Sequence, residues 1–551
     1  MTSAKAGFAA ARGRLRAALA AACALALLTV APPTSGTPAT GASAVSTVVD
    51  PAVTASIQAD GAADVIVQAT PGAVGAVATA VVAGGGEVGI ALPLVDGFAA
   101  RVTAASLERL LALGPEAVRA VTLDGAVRFD HVPGDGEAFS DSSFVETIGA
   151  DVLHAAGADG SGVGIAIVDT GVSPVGDLDG RLGEGIDLSG ESDGVDRYGH
   201  GTFVAGVAAS SGAASGGEHA GVAPGAHVVP VKIAGADGSA DVSQVLAALQ
   251  WVVAFRDVHD IDVLNLSFGT DSTQSYRADP VNYAVERAWD AGIVVVVAAG
   301  NTGPDARTVF KPADDPLVIT AGATDSNGTV ERDDDVVADF SARGPTRTNN
   351  LAKPDLVAPG AHIIGLRSPG STVDSTFPEA RVGEHYFRGS GTSFAAAATS
   401  GAAALLLELN PQWTPDDVKG ALLDLVAAGP SGDRNADGHG ALDLRGGLNA
   451  APTLDQSGVK RSNGLGSLQA SRGSLRVELG RDGGERERGE RERGERERGE
   501  REEDDRERAN HGEGNSDRLD GERTFRDRRF DARAFTRHGW DAADWSGTQW
   551  W

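Results

Sequence analysis

Apolar residues along the middle of the chain come in near-continuous runs separated by stretches of helical spacing. The runs are VGIAIVD, closing at Asp169, AHVVPVKI, closing at Ile233, DVLNLSFG, closing at Gly269, and GIVVVVAAGN, closing at Asn301, with helices predicted between them over 242–258 and 282–291. Strands that are apolar at nearly every position are buried on both faces, which is the condition of a parallel sheet covered by helices on either side. The fold class predicted is α/β: a doubly wound, mostly parallel sheet flanked by helices. In such sheets functional groups collect where strands end at their carboxyl edge, and Asp169, Ser267 and Asn301 fall there. Upstream, strands over 64–69, 87–94, 98–102 and 118–129 with helices over 72–82 and 103–113 predict a small separate α/β unit. The stretch 131–143, HVPGDGEAFSDSS, is polar and turn-rich, the kind of exposed segment that proteases nick.

A chain of 551 residues exceeds one ordinary core, and the pattern divides it into segments. Residues 1–44 read as a secretion signal and leader: Lys5, Arg12, Arg14 and Arg16 precede an apolar run over 17–30 and then Pro32, Pro33 and small residues. That run is too short to span a bilayer, so no stable membrane anchor is expected. A linker over 45–61, the small unit over 62–130, a linker or processing segment over 131–147, a main domain over 148–450 and a tail over 451–551 follow. Cys23, the only cysteine, lies within the leader, so the mature chain should contain no disulfide despite an oxidising destination. The formal net charge of −29 argues against nucleic-acid binding, which needs a basic face. In the tail, Gly-Glu-Arg-Glu-Arg repeats over 484–502 and Trp540, Trp545, Trp550 and Trp551 at the end predict a low-complexity, largely disordered stretch with a terminal tryptophan cluster.

Three glycine-flanked segments each present one reactive side chain: GIAIVDTG with Asp169, YGHGTFVAG with His200, and GSGTSFAAAATSG with Ser393. A serine hydroxyl becomes a good nucleophile when an imidazole accepts its proton, and that imidazole needs a carboxylate to fix its tautomer. Singly, each segment has a plainer reading: Asp-Thr-Gly also occurs in aspartic peptidases, a histidine at a helix start is commonly a cap, and Gly-Thr-Ser can simply begin a helix. Together, in the order Asp, His, Ser, they follow a known chain order of catalytic triads.

At these residues the sequence resembles the subtilisin-like (S8) serine peptidases, over roughly 148–450. The resemblance implies a serine endopeptidase acting on protein or peptide substrates through an acyl-enzyme on Ser393, with His200 shuttling the proton and Asp169 supporting His200. It implies that Asn301 stabilises the oxyanion, that Ser267, Phe268 and Gly269 form an edge on which substrate backbone pairs, and that Ala298, Ala299 and Gly300 form the opposite wall of a substrate pocket. Phe310 would stand where relatives often carry glycine, making that pocket shallow. The small unit at 62–130 is similar to the propeptide of these enzymes, which implies an intramolecular inhibitor cut away between Asp130 and Ser143. The family commonly reads Met-Ala-Ala-Pro-His after the nucleophile, whereas Phe394 and four alanines stand here; no catalytic group is lost by that change.

No cofactor is required for this chemistry. Asp433, Asn435 and Asp437 with Gly438 follow the spacing of a calcium loop, although Leu444 stands where its twelfth-position acid belongs, so a structural calcium competes with a simple polar turn. Gly160, Gly162 and Gly164 precede a strand and do not link strand to helix, which rules out a dinucleotide site. The expected product is a secreted, extracellular monomer, with cell-wall association left open by the terminal tryptophans. A secreted binding protein that kept the fold, and a peptide ligase using the same acyl-enzyme, are the competing readings.

Overall fold

The computed structural model describes residues 47–124, 126–128, 132–133, 143–466 and 468–471; the leader expected at 1–44 and the repeat and tryptophan cluster of the tail lie outside them. Within the main domain the strand Gly164–Asp169 is central. It pairs in parallel with His227–Lys232 on one side and Ile261–Leu266 on the other, and the sheet continues in parallel through Val294–Ala298, Ile319–Asp325 and Leu356–Pro359. All six residues of Gly164–Asp169 are buried, as the unbroken apolar run predicts for a strand covered on both faces. The helix Thr392–Leu409 crosses this sheet. It is long and apolar enough to cross a membrane, yet nine-tenths of it is packed inside the fold, so it is a core helix.

The small N-terminal unit is a five-stranded sheet in the order Val48–Val49, Val118–Leu123, Ala62–Ala69, Gly97–Thr103, Glu87–Leu92. Alternate residues of its second strand, Ala63, Val65, Val67 and Ala69, join Val77, Val81, Leu107 and Leu110 of two helices in one core. Residues 47–61 of the predicted linker are instead part of this unit. The strand Val48–Val49 extends the sheet, and the helix Pro51–Asp60, capped by Asp50 and started by Pro51, buries Val53 and Ile57. The predicted strand over 118–129 divides: Val118–Leu123 stays in this sheet, whereas Ala126–Arg128 pairs with Ser239–Asp241 of the main domain. The unit docks on a helix of that domain, Val242–Phe255. Asp124 Oδ1 accepts from the Ser243 N–H at 3.0 Å at the start of Val242–Phe255, and the Leu94 N–H donates to Gln250 Oε1 at 2.9 Å.

The fold also runs past residue 450, the boundary drawn from the sequence. Arg461, Ser462 and Ser471 lie against the helix Pro280–Asp290 and its cap Asp279, with Arg461 paired to Asp290 at 3.1 Å. Glu286 is wholly buried, and both its oxygens accept from the Ser462 N–H, at 2.8 and 3.0 Å. Burial, then the nearby Asp315, push Glu286 up to about 8. A carboxyl whose pKa rises on folding contributes stability at low pH that is lost as pH climbs through that value. Glu286→Gln, made in an inactive Ser393→Ala background, is therefore expected to raise Tm at pH 9 and change it little at pH 5; equal shifts at both would contradict the assignment.

Candidate active site

Asp169 ends the strand flanked by His227–Lys232 and Ile261–Leu266, the point where strand order reverses. Its side chain is wholly buried. Both carboxylate oxygens lie within reach of His200 Nδ1, at 2.8 and 3.0 Å, and Oδ1 also accepts from the Thr170 N–H at 2.8 Å. Burial pushes the Asp169 carboxyl above its usual range, and the His200 ring pulls it part of the way back.

His200 opens the helix His200–Ala209. The bend before it requires glycine: Gly199 has φ 110°, and a Cβ there would lie 2.5 Å from Ser371 Oγ. Gly201 allows the helix start to close on the strand end, since a Cβ there would lie 2.1 Å from the Gly171 carbonyl oxygen. Asp196 holds the junction. Its carboxylate accepts from the N–H groups of Gly199 at 2.7 Å and Thr202 at 2.8 Å and from the Thr170 hydroxyl at 2.8 Å, while Thr170 Oγ1 accepts from the Gly201 N–H at 2.9 Å. Sequence reasoning passed over Asp196 and Thr170. The available signal was an acid just ahead of a helix-opening histidine, the position from which a side chain caps orphan N–H groups.

Ser393 is the second residue of Thr392–Leu409 and is buried. Its Oγ donates to the Ser267 carbonyl at 3.2 Å, and Ser267 Oγ donates to the Ser393 carbonyl at 3.2 Å, so the helix start is tied reciprocally to the end of the strand Ile261–Leu266. The helices that carry His200 and Ser393 pack against each other with Phe394 between them, its ring centroid 6.0 Å from that of His200 and 4.2 Å from that of Phe203. The aromatic ring at this unusual position thus fills space beside the imidazole.

The Asn301 side-chain oxygen accepts from both the Thr392 N–H, at 2.9 Å, and Thr392 Oγ1, at 2.8 Å. Because a backbone N–H demands an acceptor, the oxygen is fixed toward Thr392, which turns the amide nitrogen away from it. That nitrogen lies 3.6 Å from the Cβ position of Gly391, two residues ahead of Ser393. Thr392 also accepts from the Gly300 N–H at 3.1 Å; its part in orienting Asn301 was not legible in the sequence, where it is one letter of a helix start.

Ser267, Phe268 and Gly269 leave the strand Ile261–Leu266, while Ala298, Ala299 and Gly300 end and follow its parallel neighbour Val294–Ala298, so the two expected walls stand on adjacent strands. Phe310 sits between them. Its N–H donates to the Ala299 carbonyl at 3.0 Å, and its ring lies against Gly300, where a Cβ would come 2.8 Å from Phe310 Cγ, and against Gly269. Asp433, Asn435 and Asp437 do not gather around a common point. Asp433 caps the short helix Arg434–Asp437 by accepting from the Asn435 N–H at 2.9 Å, and Asp437 accepts from the Ser431 N–H at 3.2 Å. Among the described residues no three acidic, histidine or cysteine side chains are grouped to hold a metal ion.

Two short strands of the connecting stretch flank the site. Ala126–Arg128 runs antiparallel to Ser239–Asp241, and Val132–Pro133 antiparallel to Gly389–Ser390, which lies just ahead of Ser393. Four peptide bonds separate Arg128 from Val132.

The profile of the subtilase family matches residues 160–440. Serine protease AprX of Bacillus subtilis is 43% identical over 290 residues, 52% of this chain and 65% of that relative, so the match spans a little under two thirds of the relative's length. An alkaline protease of Alkalihalobacillus alcalophilus is 34% identical over 335 residues, 60% of this chain and 76% of the relative. Among solved structures, fervidolysin of Fervidobacterium pennivorans, described as a keratinolytic enzyme related to subtilisin, superposes with a TM-score of 0.57 at 23% identity, covering 74% of this chain and 64% of that one; at that identity the likeness concerns the fold.

Proposed function

The chain belongs to the subtilase family of subtilisin-like serine peptidases, and from that premise we propose that it is a secreted endopeptidase, made as a self-processing precursor, with Asp169, His200, Ser393 and Asn301 as its catalytic groups. The carrying observation is the pair of contacts from the Asp169 carboxylate to His200 Nδ1, at 2.8 and 3.0 Å. With the proton held on Nδ1, the other ring nitrogen is the basic one. His200 Nε2 then takes the Ser393 hydroxyl proton as Oγ bonds to the scissile carbonyl carbon. The Asn301 amide donates to the oxyanion that forms, His200 gives the proton to the leaving amine, and water releases the acyl group by the same route in reverse.

Removing one oxyanion donor from a subtilisin costs about 10²–10³ in turnover. Asn301→Leu is expected to lower kcat by that factor with KM nearly unchanged, because the amide acts on the charge that develops and not on bound substrate. A rise in KM with kcat intact would remove Asn301 from this role.

The zymogen reading rests on the flanking strands: Ala126–Arg128 pairs with Ser239–Asp241, and Val132–Pro133 pairs with Gly389–Ser390, just ahead of Ser393. Cleavage is placed between Asp130 and Ser143, the stretch that contains Val132–Pro133, after which the N-terminal unit keeps its pairing with Ser239–Asp241 as an inhibitor. Phe310 between the two pocket walls favours small side chains at the residue before the cut; mapping of cleavage sites in casein should return Ala, Ser and Gly there more often than Phe or Tyr, and the opposite order would discard the assignment. The reading as a whole is tested by labelling the secreted protein with a serine-directed fluorophosphonate, locating the label by peptide mapping, following casein hydrolysis and sequencing the mature N-terminus. Label on Ser393 with loss of hydrolysis supports the peptidase; no label and no hydrolysis in any maturation condition would favour a binding protein on the same fold.

A further inference from the structure

The strand Tyr386–Ser390, which leads into Ser393, is bordered on one side by Ile363–Leu366 and on the other by Arg381–Val382. Between those two borders the chain leaves the sheet in a turn, the short helix Thr372–Thr376 with Ser371 as its cap, and this turn rests against the residues ahead of His200. The Thr372 N–H donates to the Arg197 carbonyl at 2.8 Å, and the Val373 N–H to the Tyr198 carbonyl at 2.9 Å. Ser368 closes the same junction, its hydroxyl donating to the Asp196 carbonyl at 2.7 Å. The Thr372 hydroxyl reaches a third element: it donates to the Ala236 carbonyl at 2.7 Å, just ahead of the strand Ser239–Asp241. One carboxylate holds the turn in shape. Asp374 is buried, and four donors converge on it: Arg367 Nε at 2.5 Å and Arg381 Nε at 2.6 Å on Oδ1, Arg367 Nη2 at 2.9 Å and the Gly370 N–H at 2.8 Å on Oδ2. Arg381 also donates to the Asp374 carbonyl at 2.9 Å. Burial works to raise the Asp374 carboxyl, but these hydrogen bonds outweigh it and hold the group down to about 2, so it stays ionised.

We propose that Asp374, clamped by Arg367 and Arg381, is a positioning residue for catalysis: it fixes the turn Ser371–Asp374 as a brace between the chain entering His200 and the strand Ser239–Asp241. The proposal rests on the peptidase reading. A buried carboxylate paired with two arginines is weak evidence for stability, because desolvation offsets much of the attraction. What such a cluster specifies is geometry, since bidentate contacts between arginine and carboxylate fix orientation as well as distance. The residues it places are those on which proton transfer depends: Gly199, where a Cβ would lie 3.2 Å from Val373 Cβ, and through it His200. The strand at the far end of the brace is the one on which Ala126–Arg128 of the precursor pairs. Misplacing a catalytic group by about 1 Å costs about 10²-fold. Asp374→Asn keeps the shape and breaks the clamp: every side-chain partner is a donor, so an amide nitrogen at either oxygen position faces two of them.

The test compares wild type, Asp374→Asn and Thr372→Val, each expressed as the full chain and counted after maturation by fluorophosphonate titration of Ser393. Two fluorogenic substrates are used, a single-residue ester and a peptide long enough to pair with Ser239–Asp241. Asp374→Asn is expected to titrate fully and to lower kcat by about tenfold to a hundredfold on both, with KM for the ester unchanged and the rate of fluorophosphonate labelling reduced in parallel. Thr372 is exposed, so Thr372→Val spares the fold and removes only the bond to the Ala236 carbonyl. It is expected to lower kcat/KM for the peptide by about twofold to tenfold with a much smaller change on the ester. A cluster that served only the fold would behave otherwise. Asp374→Asn with a lower Tm but wild-type kcat per titrated site would overturn the proposal, as would a Thr372→Val that shifts both substrates equally or neither. Where Asp374→Asn yields no folded protein, the substrate dependence of Thr372→Val decides alone; absent titration of wild type would instead defeat the peptidase reading itself.

Discussion

Ser393→Ala is expected to lower kcat by about 10⁶-fold and to leave the protein at precursor size. Alanine suits the second position of a helix, and the buried hydroxyl is replaced by a smaller apolar group, so the fold should be retained. What is lost is the atom that bonds to substrate, together with its hydrogen bond to the Ser267 carbonyl at 3.2 Å. A residual rate above water of about 10³–10⁴ should persist, because Asn301 and the pairing edge still bind and polarise the carbonyl. His200→Ala alone should cost about as much, and the two together little more, since the groups act as a unit. Gel mobility of the secreted chain and turnover of a fluorogenic peptide check both halves. Maturation of Ser393→Ala at the wild-type rate, without added enzyme, would show that another peptidase does the processing.

The parts of this molecule that were legible in the sequence share one physical property: they are specified by near-neighbour patterns. Gly164–Asp169 and Val294–Ala298 are buried on both faces, so their burial is written as unbroken apolar runs. The glycines around Asp169, His200 and Ser393 mark close backbone approaches, as the 2.1 Å clash a Cβ at Gly201 would make illustrates. What escaped notice depends on partners far along the chain. The helix Pro51–Asp60 buries only Val53, Ser56 and Ile57 among small residues and read as linker, although Asp50 and Pro51 carried a usable start signal. The run 118–129 gave a single strand because periodicity reports which face is buried and not which sheet provides the partner; Ala126–Arg128 pairs more than a hundred residues away, with Ser239–Asp241.

The segment beyond residue 450 is the strongest case. It is polar, and composition assigns polar stretches to solvent, but here Ser471 supplies an O–H donor to the buried Asp279 and Ser462 an N–H donor to the buried Glu286. Burial by hydrogen bonding leaves no hydrophobic period to read. Asp196 and Thr392 follow the same logic at the active site, each orienting a residue that was recognised, His200 and Asn301, through contacts that no spacing rule announces.

Asp169→Asn should separate orientation and charge from folding. The Thr170 N–H, at 2.8 Å, requires an acceptor and holds the amide oxygen where Oδ1 now stands, which brings the amide N–H₂ to the Oδ2 position, 3.0 Å from His200 Nδ1. That nitrogen offers a donor beside a ring nitrogen that also carries its proton, and the amide oxygen 2.8 Å away is only a neutral acceptor, so the preference for the Nδ1–H tautomer, the one that leaves Nε2 free to accept from Ser393, is weakened. In either tautomer the negative charge that supports the imidazolium is gone. The expected loss is about 10⁴-fold in kcat, with KM unchanged and the rate of fluorophosphonate labelling reduced in parallel. Stability should move the other way or not at all. Burial raises the Asp169 carboxyl above its usual range, so its ionised form is held in the fold at a cost that grows as pH rises past the unfolded value, and a neutral amide of the same shape avoids that cost. Thermal melts of Asp169→Asn and wild type, both in the Ser393→Ala background at pH 7, should therefore give a Tm for the amide variant equal to or above its parent. A Tm well below the parent would mean that the carboxylate serves the fold first, and the loss of turnover could then no longer be ascribed to the imidazole.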